Sequence, residues 1–378
     1  METQKKIGIL TITPNIGFGG LMQAYALRQV VLSLCHNSEV EIINYRNRPT
    51  LKSRLAFLKN VLKRKYIKSE YVKFTSEATY RFIAQNILPF HKRYLKYSSP
   101  VSPGISFRQL ANQRYSVIIV GSDQVWRPKY VYSIKDYFLK GISDNVSKIA
   151  YAASLGVSNW EYTREETDIC KELIKKFDYV SVREFDGVSL LKNNMDCDAE
   201  VHNDIDPTLL LEREQYNQFI TEKTPKGIFT YILDRTEDKE DLIENIAARY
   251  ELPVFQFNTG AENPNLPLNE RIAPSIQEWI SGIANSDFVV TDSFHGCVFS
   301  IIFNKPFIIY ANKDRGLNRF TSLLGSLGLM DRMVFTAEEI AKRKIDDKIN
   351  WTEINIRLDS LRNNSLNRFA KVLKEKIQ

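Results

Sequence analysis

Short apolar runs rich in β-branched residues alternate along most of this chain with amphipathic stretches of helical period. This alternation predicts a parallel sheet with helices on both faces, because parallel strands need a long crossover connection between them. Strands are predicted at residues 6–11, 40–45, 116–121, 148–153, 179–182, 227–233, 253–257, 288–291 and 306–310. Helices are predicted at residues 20–34, 164–176, 186–193, 238–250, 275–285, 297–303, 318–327 and 351–378.

The chain has 378 residues, which is enough for two or three domains. A polar segment at residues 212–226 precedes a new strand, and we place a domain boundary there. The predicted fold class is therefore α/β, with two open-sheet domains facing each other across a cleft. The N-terminal domain takes residues 1–211, with a basic helical insertion at 46–100, and the C-terminal domain takes 212–350. The helices of 351–378 are expected to pack back toward the N-terminal domain.

The charge and the scarcity of metal ligands narrow the class of function. The net charge of +7 favours an anionic partner, such as a phosphate substrate, nucleic acid or an anionic membrane surface, without choosing among them. The four cysteines form no C-x-x-C pair and the four histidines are scattered, so no metal site is predicted. The first residues lack a signal-peptide pattern, and no apolar run approaches the ~18 residues of a membrane span, so we expect a cytoplasmic protein.

The segment at residues 46–73 has an unusual composition, with ten Lys or Arg residues against the single acid Glu70. Its leucines at positions 51, 55, 58 and 62 recur at helical spacing on one face. A basic amphipathic helix of this kind can lie on an anionic membrane. It can equally be a solvated surface helix whose leucines join the core. The sequence leaves both interpretations open.

In an open parallel sheet, ligands bind in the crevice at the carboxyl ends of the strands, and this rule selects the loops to inspect. After the first strand, Asn15 and Gly17 belong to a glycine-rich turn that can receive an anion or simply join strand to helix. After the third strand, Ser122 and Asp123 offer either a helix cap or a polar site. Trp126 can stack on a sugar or belong to the core.

Three later loops carry cations and a histidine. Arg183 ends a strand, where it can bind an anion or pair with a carboxylate. The loop containing Asp292 and His295 follows a buried strand, which places His295 near a helix N-terminus as an acid–base candidate or a structural residue. Lys313 and Arg315 suit a phosphate or carboxylate, or lie in an ordinary surface loop. Jointly these loops predict a cleft for a small anionic substrate and metal-free acid–base chemistry.

A set of short motifs spread from about residue 6 to residue 320 resembles the polysaccharide pyruvyltransferase family. The motifs are Asn15-x-Gly17, Gln23-Ala24-Tyr25-Ala26-Leu27, Gly121-Ser122-Asp123-Gln124-Val125-Trp126, Ser181-Val182-Arg183-Glu184, Asp206-Pro207-Thr208 and Thr291-Asp292-Ser293-Phe294-His295-Gly296. The resemblance implies two Rossmann-like domains arranged as in B-type glycosyltransferases, with an acceptor side in the N-terminal domain and a donor side in the C-terminal domain.

The resemblance also implies the reactants. Phosphoenolpyruvate is the expected donor substrate, with no other cofactor, and a saccharide hydroxyl pair is the expected acceptor. Members of the family place a histidine and an arginine at the donor site, in the positions matched by His295 and Arg183. Some members have an arginine where this chain has Ser293, so another cation, Arg315 or Lys313, is expected to replace it.

In the expected reaction His295 donates a proton, while Asp123 or Asp292 orients it or accepts a proton from the acceptor. A lipid-linked acceptor would bring the enzyme to the inner face of an anionic membrane, and nucleic acid is not an expected partner. Two other functions stay open: a glycosyltransferase that uses a nucleotide sugar, and a non-catalytic saccharide-binding protein.

Overall fold

The computed structural model describes residues 5–13, 15–46, 77–196, 200–222, 224–257, 260–263, 265–311, 316–342 and 348–377. The strands, numbered in chain order, are β1 Lys6–Leu10, β2 Glu39–Ile42, β3 Val117–Val120, β4 Ser147–Ala153, β5 Tyr179–Val182, β6 Val201–Asn203, β7 Ile228–Tyr231, β8 Val254–Phe255, β9 Phe288–Thr291, β10 Phe307–Tyr310 and β11 Met333–Val334.

The helices are numbered in the same way. They are α1 Phe18–Leu34, α2 Glu77–Ile83, α3 Leu88–Tyr94, α4 Ile105–Arg114, α5 Ile134–Tyr137, α6 Arg164–Ile174, α7 Phe185–Met195, α8 Arg213–Tyr216, α9 Glu237–Tyr250, α10 Ile276–Asn285, α11 Phe294–Ile302, α12 Leu317–Leu327 and α13 Trp351–Ile377. Short 3-10 turns occupy Pro128–Tyr130, Pro207–Leu209, Asn217–Phe219, Gly260–Glu262, Leu268–Arg271, Met330–Arg332 and Ala337–Lys342.

The strands form two fully parallel sheets. The first has the order β2-β1-β3-β4-β5-β6, and the second has the order β11-β10-β9-β7-β8. The predicted fold class of two open parallel-sheet α/β domains is therefore confirmed. The sequence analysis missed β6 and β11, because three- and two-residue strands at sheet edges are too short to show a period. The exact domain limits stay a prediction.

Apolar side chains also fill the space between the two sheets, in a core cluster that includes residues of both. Phe18 of α1 stacks on Trp279 of α10 with ring centroids 5.3 Å apart, and Tyr231 of β7 packs against the same two rings. Aromatic pairs in this geometry stabilise beyond their buried area. The relative position of the two domains is thus held by side-chain packing next to the first turn of α1.

The long helix α13 contacts both domains. Its Phe369 ring lies 4.5 Å from the Tyr151 ring of β4, and Ser365 Oγ accepts a hydrogen bond from the Ile205 backbone at 3.2 Å. Toward the second domain, Arg357 Nη1 donates to the Leu327 carbonyl at 3.2 Å.

Within the described ranges, no helix combines the length and the apolar character that crossing a membrane would require. The basic segment at residues 46–73 lies outside the described residues except for Arg46.

A candidate active site between two topological switch points

Each sheet has one point at which the chain reverses the direction in which strands are added. In the first sheet this point lies between β1 and β3, and in the second it lies between β7 and β9. Loops leaving the carboxyl ends of such strand pairs open a crevice, which is the usual ligand site of open α/β sheets. Here the two crevices face each other across the domain interface.

A cavity of about 510 Å³ fills the space between the two switch points. It is lined by the loops that follow all four strands, and also by one residue of α12. The loops contribute Gly17, Gly19 and Gly20 after β1, Gln124 after β3, Leu233 and Asp234 after β7, and Asp292, Ser293, Phe294 and His295 after β9, while α12 contributes Arg319. No group of three or more His, Cys, Asp or Glu side chains that could hold a metal ion occurs in the described part of the chain.

His295 lies in the first turn of α11. This helix begins at Phe294, three residues before its predicted start at residue 297. Ser293 is the N-cap of this helix, and its hydroxyl accepts a hydrogen bond from the Gly296 backbone at 3.4 Å. The imidazole is largely buried, with its Nε2 3.6 Å from Asp206 Oδ2. Its Nδ1 lies beside Gly19 of the opposite domain, so close that a Cβ on Gly19 would lie 2.1 Å away.

Asp206 is the buried centre of this arrangement. Its Oδ2 accepts hydrogen bonds from Arg183 Nη1 at 2.5 Å and from Ser122 Oγ at 3.4 Å, and Oδ1 accepts from the Thr208 backbone and hydroxyl at 3.0 and 2.6 Å. Burial alone would raise the pKa of the Asp206 carboxyl. The neighbouring His295 and Arg183, with the hydrogen bond from Thr208, instead hold that pKa well below its usual range.

Arg183 does not line the cavity between the switch points. It lines a second cavity of about 220 Å³, which it shares with Asp206 and Arg319. Its guanidinium carbon lies 4.8 Å from the centroid of the Phe294 ring. Its Nε and Nη2 are buried and find no hydrogen-bond partner among the described residues. Nε lies 3.7 Å from Glu184 Oε1, so the guanidinium is flanked by two buried carboxylates, those of Asp206 and Glu184.

The sequence analysis missed Arg319, which lines both cavities. Its guanidinium carbon lies 5.3 Å from the Phe294 ring centroid, so two arginines contact the same ring. Burial and the nearby charge of Arg183 lower the pKa of Arg319 to about 10. A signal was present: a cation in the first turn of α12 is disfavoured by the helix dipole unless an anion compensates.

Asp292 is held by three donors. Its carboxylate accepts from the Leu233 and Asp234 backbones at 2.7 and 3.2 Å, and from buried Lys239 Nζ at 2.7 Å. These contacts tie the loop after β9 to the loop after β7. Asp292 therefore lies in the cavity wall, and its role in proton transfer stays a prediction.

Asp123 lies at the rim of the cavity. Its Oδ1 accepts a hydrogen bond from the Gln124 backbone at 2.8 Å, and Oδ2 lies 4.0 Å from the position a Cβ on Gly20 would take. The half-buried carboxylate lies beside two lining residues, Gly20 and Gln124, without lining the cavity itself.

Trp126 lies in the core of the first domain. It is fully buried, its ring stacks on Phe138 at a centroid distance of 4.6 Å, and its Nε1 donates to the Tyr137 carbonyl at 3.2 Å. The expected stacking on a sugar is not supported by this position, because the ring is already covered by protein.

The remaining predicted residues are placed as follows. Gly17 is the N-cap of α1 and lines the cavity. Asn15 is exposed, and its carbonyl lies within hydrogen-bond distance of His91 Nε2, at 3.0 Å. Lys313 and Arg315 lie outside the described residues.

Comparison with known proteins gives a family match. A family model described as polysaccharide pyruvyl transferase matches residues 15–314, which includes the lining residues of the candidate site except Arg319. A search of curated proteins found no match.

Several solved structures are similar to this chain at low identity. Similar chains include apo UGT2 of Phytolacca americana, at 11% identity and a TM-score of 0.48, with 99% of this chain and 100% of that chain covered. The MnaA–UDP structure of S. aureus is 14% identical with a TM-score of 0.48, covering 93% and 90% of the two chains. UDP-GlcNAc 2-epimerase of Neisseria meningitidis is 10% identical with a TM-score of 0.46, covering 98% and 100%. Similarity at this level carries no argument about this chain.

Proposed function

This chain belongs to the polysaccharide pyruvyl transferase family, and from that membership we propose that it transfers pyruvate from phosphoenolpyruvate to two hydroxyls of a saccharide as a ketal. One observation supports the assignment most directly: His295 and Arg319 line the same cavity at the meeting point of the two switch crevices. An acid–base group and a cation side by side suit an anionic donor that must gain a proton during the reaction.

In the proposed complex, arginine side chains bind the negatively charged groups of the donor. Phosphoenolpyruvate carries a carboxylate and a phosphate, and the planar guanidinium fork matches both groups. Arg319 supplies, at the cavity wall, the cation that Ser293 does not. Arg183 contacts the same Phe294 ring, and its buried Nε and Nη2 make no hydrogen bond to any described residue, although Nε lies 3.7 Å from Glu184 Oε1. We propose Arg319, rather than the predicted Arg315, as the first contact of the donor.

The chemistry balances without an oxidant or reductant. The oxygen of the first sugar hydroxyl bonds to C2 of the donor, and the proton of that hydroxyl passes through His295 to C3, which becomes a methyl group. The second hydroxyl then bonds to C2 and displaces phosphate, which leaves with the second proton. His295 thus acts first as a base and then as an acid.

The family implies a polysaccharide acceptor, and an adjoining cavity suits one. This cavity, of about 530 Å³, shares Leu233 and Asn263 with the first and adds Arg235, Gln256 and Phe257. Amide, guanidinium and aromatic side chains are the groups that bind sugar hydroxyls and ring faces. We therefore propose that the acceptor extends over the C-terminal domain, whereas the sequence analysis expected it on the N-terminal side.

Phosphate release tests the proposal. The full chain is incubated with phosphoenolpyruvate and galactose-, glucose- or mannose-type acceptors, free and lipid-linked, and phosphate is followed by ³¹P NMR. Acceptor-dependent release is expected, together with a rise in melting temperature on adding phosphoenolpyruvate, because a ligand stabilises the state that it binds. Stabilisation by a nucleotide sugar and not by phosphoenolpyruvate would contradict the proposal and favour a glycosyltransferase. Stabilisation by saccharides without turnover of either donor would favour a binding protein.

A further inference from the structure

We propose that Asp206 is a positioning residue that fixes the tautomer and orientation of His295. The role in catalysis rests on the proposed function, but the orientation of the ring does not. Asp206 follows β6 in the first domain, while His295 lies in α11 of the second. The pair therefore forms only when the two domains are packed together.

The carboxylate is itself rigidly held. Both oxygens are used: Thr208 donates twice to Oδ1, while Arg183 and Ser122 donate to Oδ2. His295 Nε2 lies 3.6 Å from the same Oδ2, slightly beyond hydrogen-bond length. Catalytic hydrogen bonds are often long without substrate and shorten in the complex.

The surroundings of the His295 ring favour one of its two neutral tautomers. His295 Nε2 is buried and finds no hydrogen-bond partner in the described part of the chain, and the group that faces it, Asp206, is an ionised carboxylate that can only accept. A proton on Nε2 is therefore favoured. Nδ1, beside Gly19 at the cavity wall, is left with its lone pair to receive a proton from the substrate.

Three other charged side chains lie near this site. Arg183 at the end of β5 shares Oδ2 with the imidazole, Arg319 of α12 lines the same cavity, and Asp123 lies near the start of α1. Of these groups, the two arginines can only donate hydrogen bonds, so neither can accept one from Nε2. Asp206 is the acceptor that the structure places opposite Nε2.

The test reads the tautomer directly in the full-length protein. Ring ¹⁵N shifts of His295, identified by their loss in His295→Gln, are measured at a pH where the ring is neutral. The Nε2–H form is expected in the wild type. Asp206→Asn can turn an amide N–H toward Nε2, so a shift toward the Nδ1–H form is expected, with kcat lower by roughly 10²–10⁴-fold, as for loss of a histidine-orienting carboxylate.

The matched control is Asp204→Asn. Asp204 is an equally buried carboxylate of the same loop, but it contacts Tyr179 and Arg368 instead of the histidine. The control is expected to keep the Nε2–H form. An Nδ1–H form in the wild type, or the same tautomer in wild type and Asp206→Asn, would overturn the proposal; the wild-type spectrum alone tests it if the variant does not fold. A tautomer change in a protein that does not use phosphoenolpyruvate would overturn the proposed function and leave the positioning role intact.

Discussion

Gly19 of the first domain packs against the His295 imidazole of the second, so that a Cβ on Gly19 would lie 2.1 Å from Nδ1 and 2.6 Å from Cγ. Real Cβ atoms do not approach other atoms so closely, and a side chain at position 19 would have to displace the ring. The glycine-rich turn after β1 is therefore needed here for close approach to the histidine.

The first prediction concerns this contact. Gly19→Ala should displace the imidazole and lower kcat/KM by at least about tenfold, or ~1.4 kcal/mol of transition-state stabilisation. The control is Gly325→Ala in α12, a helical glycine whose added Cβ meets no described atom within 4 Å. Steady-state kinetics of both variants, with circular dichroism to verify folding, decide the matter. Equal activity of the two variants would show that the ring can move without loss.

The second prediction concerns His295 itself. His295→Ala should lower kcat by roughly 10²–10⁴-fold, since this is the usual contribution of an acid–base group. His295→Gln keeps the size and the hydrogen bonding of the side chain but cannot carry the proton. Its kcat should therefore be at most slightly higher than that of His295→Ala. Near-normal turnover of either folded variant would assign His295 a structural role.

The third prediction concerns the cation at the cavity wall. A hydrogen bond to a charged group contributes ~1.5–3 kcal/mol, so Arg319→Gln should lower kcat/KM for phosphoenolpyruvate by at least about tenfold. Arg319→Lys should restore only part of the lost kcat/KM, because an ammonium group cannot form the bidentate fork. The control is Arg81→Gln, an exposed arginine paired with Glu77. If Arg319→Gln stays within about twofold of the control, the donor binds elsewhere, and Arg315 becomes the next candidate.

The fourth prediction separates a structural from a catalytic role for Asp292. Its buried pair with Lys239 has side chains only 1% and 4% exposed. Breaking such a pair destabilises by ~3–5 kcal/mol. Asp292→Asn should therefore lower the free energy of unfolding in urea, and leave the shape of the pH–rate profile unchanged. Glu172→Gln, which breaks an exposed pair with Lys175, should leave stability unchanged. A changed pH profile in a fully stable Asp292→Asn protein would instead favour proton transfer.

The fifth prediction follows from the low pKa of Asp206 in the folded state. A carboxyl whose folded pKa lies below its unfolded value of ~3.9 stabilises the fold above that value, and this stability is lost as the pH falls toward the folded pKa. The stability difference between wild type and Asp206→Asn should therefore be largest above about pH 5 and shrink on acidification below about pH 4. Urea unfolding at several pH values measures it. A stability difference that grows toward low pH would contradict the predicted direction of this pH dependence.

The order of elements could be predicted because the period of the apolar residues is local information. Val117–Val120 is apolar throughout, and Phe288–Thr291 is apolar except for its last residue, which identifies strands buried on both faces. The loops after them were identified as candidate site loops because ligand crevices in open sheets lie at the carboxyl ends of strands. The structure places the loops after β1, β3, β7 and β9 around one cavity.

The convergence of individual side chains could not be predicted in the same way. Trp126 and Asp292 belong to the right loops, yet one is covered by Phe138 and the other is held by Lys239. Asp206 binds Arg183 and Arg319 lines the cavity, although nothing in the sequence marked their roles as clearly as those of Arg183 and His295.

By itself, then, the sequence of this protein determined the two parallel-sheet domains, the family and three of the loops that meet at the cleft, those after β1, β3 and β9. Only the tertiary structure decided which atoms face each other there. The physical reason is that periodicity and turn chemistry act over a few neighbouring residues. The 3.6 Å between His295 and Asp206 instead depends on the order and twist of two sheets and on the packing of Phe18 against Trp279, which brings two distant parts of the chain together.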